Sequence, residues 1–258
     1  RVGGAWGFAA TRDVTREGLH ATLDRALALA AAQPQVPEAP LAQVAAPAMG
    51  HWASPHEQDP FDVSLEERLA LLVEAEAALR GDPRIVRTEA TAMATRTTKA
   101  FASTEGAACT QLLIECGAGI GATAVGDDEL QVRSYPSAHG GLVAQAGWEH
   151  VLALDLAAHA PRVAAEAVEL LTAPPCPEGR RTIILGAEQL ALQIHESIGH
   201  ALELDRILLG EASYAGTSWV GPQDLARDAA LQYGSDQVTI VADATLPGGL
   251  GTFGWDDE

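Results

Sequence analysis

The chain has 258 residues, 47% of them hydrophobic, and a formal net charge of −19 from 35 acidic and 16 basic side chains. This composition allows a packed core, and the acidic balance excludes a surface built for nucleic acid or anionic membranes. No apolar run approaches the roughly 20 residues of a membrane span. The three cysteines follow neither a disulfide nor a zinc-knuckle pattern, so we expect a cytoplasmic protein with buried, reduced thiols.

The first predicted elements are a strand and a helix. Residues 5–10 are short and apolar, which favours a strand. Thr15 can cap a helix that runs to about Ala32, because leucines and alanines recur there at helical spacing. Residues 33–60 contain six prolines and little periodicity, so they predict an extended linker over the surface.

A second helix, an antiparallel meander and a long helix follow. Ser64 and Glu67 form a capping box at the start of a helix that ends at Gly81. Residues 84–133 alternate between apolar and polar side chains, with glycine-containing turns, which indicates an antiparallel meander. Residues 148–172 have the periodicity of one long amphipathic helix.

Three prolines in residues 174–177 mark the predicted domain boundary. They separate an N-terminal α/β domain, residues 1–178, from residues 179–258, which contain short apolar strands at 181–186 and 238–242. The predicted fold class is therefore α+β. Because the chain opens without Met and stops abruptly, we expect both ends to be cut from a longer protein.

A helix predicted at about 187–204 carries the most informative motif, His195-Glu196-Ser197-Ile198-Gly199-His200. Two neutral imidazoles can bind Zn²⁺, and a neighbouring glutamate can activate a zinc-bound water, which is the core of a metallopeptidase. The two histidines are five residues apart, whereas the common motif spaces them by four. On a regular α-helix their rings would diverge by about 140°.

A π-turn would bring the two rings onto one side, because its hydrogen bonds join residues five apart. We therefore predict a π-type irregularity between His195 and His200, eased by Gly199. The alternative is a structural histidine cluster without metal, since short motifs also arise by chance. The apolar helix before the motif favours a metal, because burying these polar groups without a partner is costly.

Two acidic residues follow the motif, and their roles stay open. Glu203 and Asp205 can accept hydrogen bonds from imidazole N–H groups and so select the tautomer. Glu203 can also complete the site as an extra ligand. The third reading is that both are solvated acids near a helix end.

Three stretches resemble the TldD branch of the TldD/PmbA family, a family of zinc metallopeptidases once described as modulators of DNA gyrase. Residues 5–11, AWGFAAT, are similar to the family's WGFAST segment. Residues 195–205, HESIGHALELD, are similar to its HExxxH signature with the acidic residues that follow. Residues 238–258, VTIVADATLPGGLGTFGWDDE, are similar to its stretch ending in DDEG.

The resemblance implies a fold and a ligand set. It implies an α/β N-terminal domain followed by a β-rich C-terminal domain that begins near the zinc helix. Zn²⁺ would be held by His195 and His200, with Glu196 as the general base. The third ligand would be a cysteine beyond residue 258.

The resemblance also implies a function and a partner. The chain would be the active subunit of a heterodimer with a TldE (PmbA)-like companion that lacks the motif, degrading unfolded peptides or removing leader peptides during peptide maturation. It would place Asp256 and Asp257 near the substrate channel. Gly249 and Gly251 either let a peptide backbone approach as an added strand or form simple turns. The alternative function is a non-catalytic scaffold or peptide-binding subunit of such a complex.

Overall fold

The computed structural model describes residues 1–34, 47–138, 140–210, 212–226 and 231–256. The chain forms two units of tertiary structure, Arg1–Pro47 and Ala48–Glu258. The second unit runs through residue 178, and the domain division predicted there stays a prediction. The fold is mixed α/β, with five strands and several helices in the described residues.

The first unit contains helix α1, Arg16–Ala32, which begins where the sequence predicts. The Thr15 hydroxyl accepts a hydrogen bond from the Gly18 amide at 3.2 Å and so caps the helix. The strand predicted at residues 5–10 is wrong, because in the described part of the chain Ala5 forms an isolated bridge with Val2 and residues 6–10 form no strand. A side chain at Gly7 would lie 2.0 Å from the Ala26 carbonyl oxygen, so this stretch packs directly on α1.

Strand β1, Met49–Ala53, lies inside the predicted linker, which is therefore wrong at these residues. It pairs in parallel with a later strand, from Met49 opposite Ala108 to Ala53 opposite Leu112. The reason is tertiary: a five-residue strand among prolines shows little pattern of its own and forms by pairing with a distant partner. Residues 35–46 of the predicted linker lie outside the described residues.

Helix α2, Leu65–Ala78, begins with the predicted capping box. The Ser64 hydroxyl accepts from the Glu67 amide at 3.2 Å, and the Glu67 carboxylate accepts from the Ser64 amide at 3.1 Å. Each side chain thereby satisfies an amide that the first helical turn leaves without a partner.

Ser64→Ala is expected to lower the free energy of unfolding by about 1 kcal/mol, because it removes the hydroxyl acceptor from this box. Urea unfolding followed by circular dichroism measures the change. Ser213→Ala is the matched control, since Ser213 is exposed in a turn. Equal losses in the two variants would contradict the capping role.

The predicted antiparallel meander is confirmed. Strand β2, Ile85–Ala102, pairs along its length with β3, Ala108–Val125, which also pairs with β4, Leu130–Tyr135. Strand β5, Leu142–Ala144, adds a short antiparallel pairing to β3. Strand β3 is therefore central, with β2 on one side and β1, β5 and β4 in succession along the other.

The predicted long helix is two helices, so that prediction is wrong. Helix α3 is Trp148–Ala153 and helix α4 is Leu156–Leu170. Between them Asp155 has a left-handed backbone with φ of 45°, which interrupts the helical path. The Tyr135 hydroxyl donates to the Leu154 carbonyl at 3.1 Å, so the break has a tertiary hydrogen bond that periodicity does not reveal.

The main core forms where helices α2, α3 and α4 pack on one face of the sheet. Alternate residues of β3 point to this face, because successive side chains of a strand point to opposite faces. The buried side chains of the core include Leu79, Cys116, Ile120, Trp148, Val151, Leu156 and Val163.

The rest of the described chain is helical or irregular. Helix α5, Ala187–Ile194, leads into a π-turn, His195–Gly199, and then into short helices α6, His200–Leu202, and α7, Leu204–Ile207. A 3₁₀ turn follows at Pro222–Leu225. The strands predicted at residues 181–186 and 238–242 are wrong, because neither stretch pairs with a neighbour in the described ranges.

None of the helices in the described part of the chain has the length and apolar character that a bilayer crossing requires. The cytoplasmic location stays a prediction.

Candidate metal centre

Helix α5 immediately precedes the histidine motif and is hydrogen-bonded to a loop of the central sheet. Its first turn is tied to the loop before β5, because the Glu188 carboxylate accepts a hydrogen bond from the Ala138 amide at 2.7 Å. Leucines and alanines along the helix favour helical geometry, and the motif follows without a break. The predicted single helix over 187–204 therefore holds only as far as Leu202, since Glu203 has an extended backbone.

The predicted π-type irregularity is confirmed. The backbone N–H of His200 donates to the carbonyl of His195, five residues earlier. This widened turn puts the two histidines on one side of the helix, where a regular α-helix would separate them. Their ring centroids are 4.4 Å apart with an interplanar angle of 76°.

Glu196 joins the two histidines. Ligand atoms of His195, Glu196 and His200 all lie within 4.8 Å of one another, the group that could hold a metal ion among the described residues. The burial expected for this helix and its polar groups is wrong, because helix α5 has no buried residue and the side chains of His195 and Glu196 are each 61% exposed. Solvent can therefore reach both groups.

The donor set fits Zn²⁺. Two nitrogens bound tetrahedrally to one Zn²⁺ at about 2.0–2.1 Å lie about 3.3–3.4 Å apart, and the ligand atoms of this cluster lie within 4.8 Å of one another. Imidazole nitrogen is also a preferred zinc donor. Two histidines fill two of the four positions of a tetrahedral zinc site, so a further protein ligand and an open position would complete a catalytic site.

Glu203 orients His200. Its carboxylate accepts from His200 Nδ1 at 2.8 Å and also pairs with the Arg206 guanidinium. The hydrogen bond from His200, followed by that from Arg206, holds the pKa of the Glu203 carboxyl below its usual value. With Nδ1 facing Glu203, the Nε2 atom of His200 is the nitrogen left for a metal. This geometry favours orientation of the ring by Glu203 over direct ligation.

Asp205 does not join the cluster of metal-binding groups in the described residues. Its carboxylate accepts from the backbone amide of Arg206 at 2.9 Å, a local contact at the start of α7. A role for Asp205 at an imidazole stays a prediction.

The cluster borders a cleft of about 420 Å³. Its walls include Glu196 and His200 on one side and a loop with Ser218 and Trp219 on the other. Arg206 and Tyr233 also line it, and sequence reasoning missed both. The spacing of Arg206 three residues after Glu203 was an available signal, because residues three apart are neighbours on a helix. Tyr233 carried no comparable signal.

Gly249 and Gly251 lie in consecutive turns. The Gly249 amide donates to the Leu246 carbonyl at 3.1 Å, and the Thr252 amide donates to the Gly249 carbonyl at 3.0 Å. Of the two structures expected for these glycines, the simple turn is therefore the one observed. Their role toward a substrate stays a prediction.

Asp256 ends a segment that is held against the sheet by a buried glutamine. Gln111, 2% exposed, accepts from the Gly254 amide at 2.9 Å and donates to the Trp255 carbonyl at 2.8 Å. This places Asp256 beside a separate cavity of about 280 Å³, outside the histidine cluster. Asp257 lies outside the described residues, and the substrate role of both acids stays a prediction.

Among the described residues, the group that could hold a metal ion includes none of the three cysteines. Cys109 and Cys116 are buried as predicted, and burial raises the pKa of the Cys116 thiol. The expectation of burial is wrong for Cys176, which is exposed in the stretch between α4 and α5.

Comparison with known proteins finds a family model that matches the central part of the chain. A model described as the PmbA/TldA metallopeptidase central domain matches residues 58–173. A metalloprotease of Methanothermobacter thermautotrophicus is 28% identical over 257 residues, which are 99% of this chain and 51% of that protein. Residues 58–173 thus match the central domain of the PmbA/TldD family. The matched central domain runs from the segment before α2 to the end of α4, and the histidine motif follows it.

Other similarities are shorter. A metalloprotease of Methanocaldococcus jannaschii is 36% identical over 92 residues, which are 36% of this chain and 18% of that protein. A crystal structure from Thermotoga maritima, described as a candidate modulator of a DNA gyrase, is 14% identical and has a TM-score of 0.49, covering 68% of this chain and 37% of that one. The matched region of this chain thus spans about half the length of the Methanothermobacter metalloprotease and less of the other two proteins.

Proposed function

We propose that this chain is the zinc-binding, catalytic part of a peptidase subunit that hydrolyses unfolded peptides or leader peptides. The observation that carries the proposal is the π-turn, which brings His195, Glu196 and His200 together, with Glu196 and His200 lining an open cleft. The match of residues 58–173 to a metallopeptidase central domain and two relatives named metalloproteases support it.

His195 and His200 are the proposed zinc ligands, and His200 would bind through Nε2 because its Nδ1 faces Glu203. When bound, Zn²⁺ would act as a Lewis acid, which polarises the scissile carbonyl and lowers the pKa of the attacking water. A cysteine beyond residue 258 is the proposed third ligand. This assignment follows the family resemblance alone.

Glu196 is the proposed general base and acid. Its exposed carboxylate borders the cleft beside His200, where it can take a proton from the attacking water. It can then deliver that proton to the amine that leaves when the peptide bond breaks. Glu203 and Arg206 keep the His200 ring in place during both proton transfers.

The cleft is open, which suits an extended peptide better than a folded protein. We propose that the substrate lies along this cleft and that a TldE-like companion subunit completes the active enzyme. The family resemblance is the support for the companion, and removal of leader peptides during peptide maturation is the corresponding role.

The test combines zinc content with hydrolysis. The intact protein, purified without added metal and assayed with its companion on an unstructured fluorogenic peptide, should contain about one zinc per chain. Chelation should abolish hydrolysis, and zinc should restore it. His195→Ala should lose both zinc and activity, whereas His20→Ala, a change at an exposed helical histidine, should keep both.

Two outcomes would contradict the proposal in different ways. Peptide hydrolysis that survives both chelation and His195→Ala would exclude metal-dependent catalysis at this site. Zinc retained by wild type and lost in His195→Ala, with peptide bound but never cleaved, would support the non-catalytic peptide-binding subunit instead.

A further inference from the structure

Two loop hydroxyls donate hydrogen bonds to carbonyls of the metal-site helix. The Tyr233 hydroxyl donates to the carbonyl of Ser197, in the middle of the π-turn. The Ser218 hydroxyl donates to the carbonyl of Ala201 at 2.6 Å, one turn later. Both donors come from irregular segments that follow the helix in the chain.

The two carbonyls, of Ser197 and Ala201, lie in the π-turn and at the end of α6, where hydrogen bonds within the helix are unusual or missing. A π-turn is a rare and short conformation. Ala201 also lies among the last residues of α6, where carbonyls have no partner within the helix. A donor from outside can therefore stabilise the widened turn relative to a regular helix.

The two donors form one packed wall. Trp219, next to Ser218, packs on the Tyr233 ring with centroids 5.0 Å apart. The Ser218 amide donates to the Arg206 carbonyl at 3.3 Å. This hydrogen bond joins the wall to helix α7, where Arg206 pairs with Glu203. Tyr233 and Ser197 both line the cleft of the histidine cluster and also an apolar cavity of about 760 Å³.

We infer that Tyr233 is a positioning residue of the metal centre. Its hydroxyl holds the π-turn in the form that aims His195 and His200 at one point, and Ser218 holds the end of the same helix. Tyr233 acts on the metal centre through the backbone carbonyl of Ser197. The inference rests on the proposed zinc site, and it adds the tyrosine hydroxyl as a determinant of that site's affinity.

The experiment compares Tyr233→Phe with Tyr214→Phe in the intact protein. Both changes remove one phenolic hydroxyl, and Tyr214 is 91% exposed. Zn²⁺ affinity is measured by competition with a chromophoric chelator. Tyr233→Phe should bind Zn²⁺ about tenfold more weakly, the scale of one lost hydrogen bond, while Tyr214→Phe should match wild type. The visible spectrum of the Co²⁺-loaded protein should change in Tyr233→Phe alone, because its bands report ligand geometry.

A measurement on the metal-free protein separates this inference from the proposed function. Amide hydrogen exchange across residues 195–202 should be faster in Tyr233→Phe than in wild type and unchanged in Tyr214→Phe. If wild type binds no zinc, the proposed function fails, and the exchange comparison still decides whether Tyr233 holds the turn.

Ser218→Ala provides a second variant in case the tyrosine change disturbs the fold. It should also accelerate exchange near Ala201 and weaken Zn²⁺ binding. A lower melting temperature in both variants with unchanged exchange at 195–202, unchanged zinc affinity and an unchanged Co²⁺ spectrum would overturn the inference, because the contacts would then be merely structural.

Discussion

Glu196→Gln is expected to lower kcat/KM for peptide hydrolysis by about a thousandfold while zinc content stays near that of wild type. Glutamine keeps the size of the side chain but cannot accept and deliver the proton. General acid–base catalysis of this kind contributes about 10²- to 10⁴-fold to a rate. The ring orientation of His200 should persist, because it depends on Glu203 rather than on Glu196.

The measurement is steady-state cleavage of the unstructured peptide, paired with elemental analysis of the same samples. Glu66→Gln, a change at an exposed glutamate in the first turn of α2, is the control and should leave the rate unchanged. Full activity in Glu196→Gln would show that Glu196 is not the base. Loss of zinc together with activity would instead make Glu196 a ligand.

Ile120→Ala is expected to lower the free energy of unfolding by about 3–4 kcal/mol. Ile120 is 1% exposed in the second half of β3, in the core beneath the helices. Its truncation removes apolar contacts and leaves a cavity that the strand and the helices can fill only in part.

Urea unfolding of the two variants measures this difference. Ile184→Ala removes the same atoms from a residue that is 94% exposed, and it should change stability by less than about 0.5 kcal/mol. Similar losses in both variants would mean that the sheet and the helices do not form the main core of this chain.

The predictions that succeeded depend on short-range patterns. Thr15 and the Ser64–Glu67 box mark helix starts because a capping side chain lies within three residues of the amide it serves. The meander was visible because hairpin neighbours follow each other in the chain and turn at glycines.

The predictions that failed depend on distant partners. Strand β1 forms by pairing with residues about 60 positions away. The prolines around it therefore indicate a linker, because its partner strand is not visible locally. The apolar stretches at 181–186 and 238–242 have strand-like composition, but composition alone supplies no hydrogen-bonding neighbour. The break at Asp155 likewise accompanies a contact from Tyr135 that helical periodicity cannot show.

The amino-acid sequence by itself determined the donor set of the candidate centre and its backbone. Two histidines five residues apart can face one metal only on a widened turn, so the spacing already required the π-turn between His195 and His200. Only the tertiary structure decided what surrounds that turn. Arg206 behind Glu203, and the hydroxyls of Ser218 and Tyr233 on the helix carbonyls, are positioned by chain folding, since irregular segments approach a helix in ways that residue spacing does not specify.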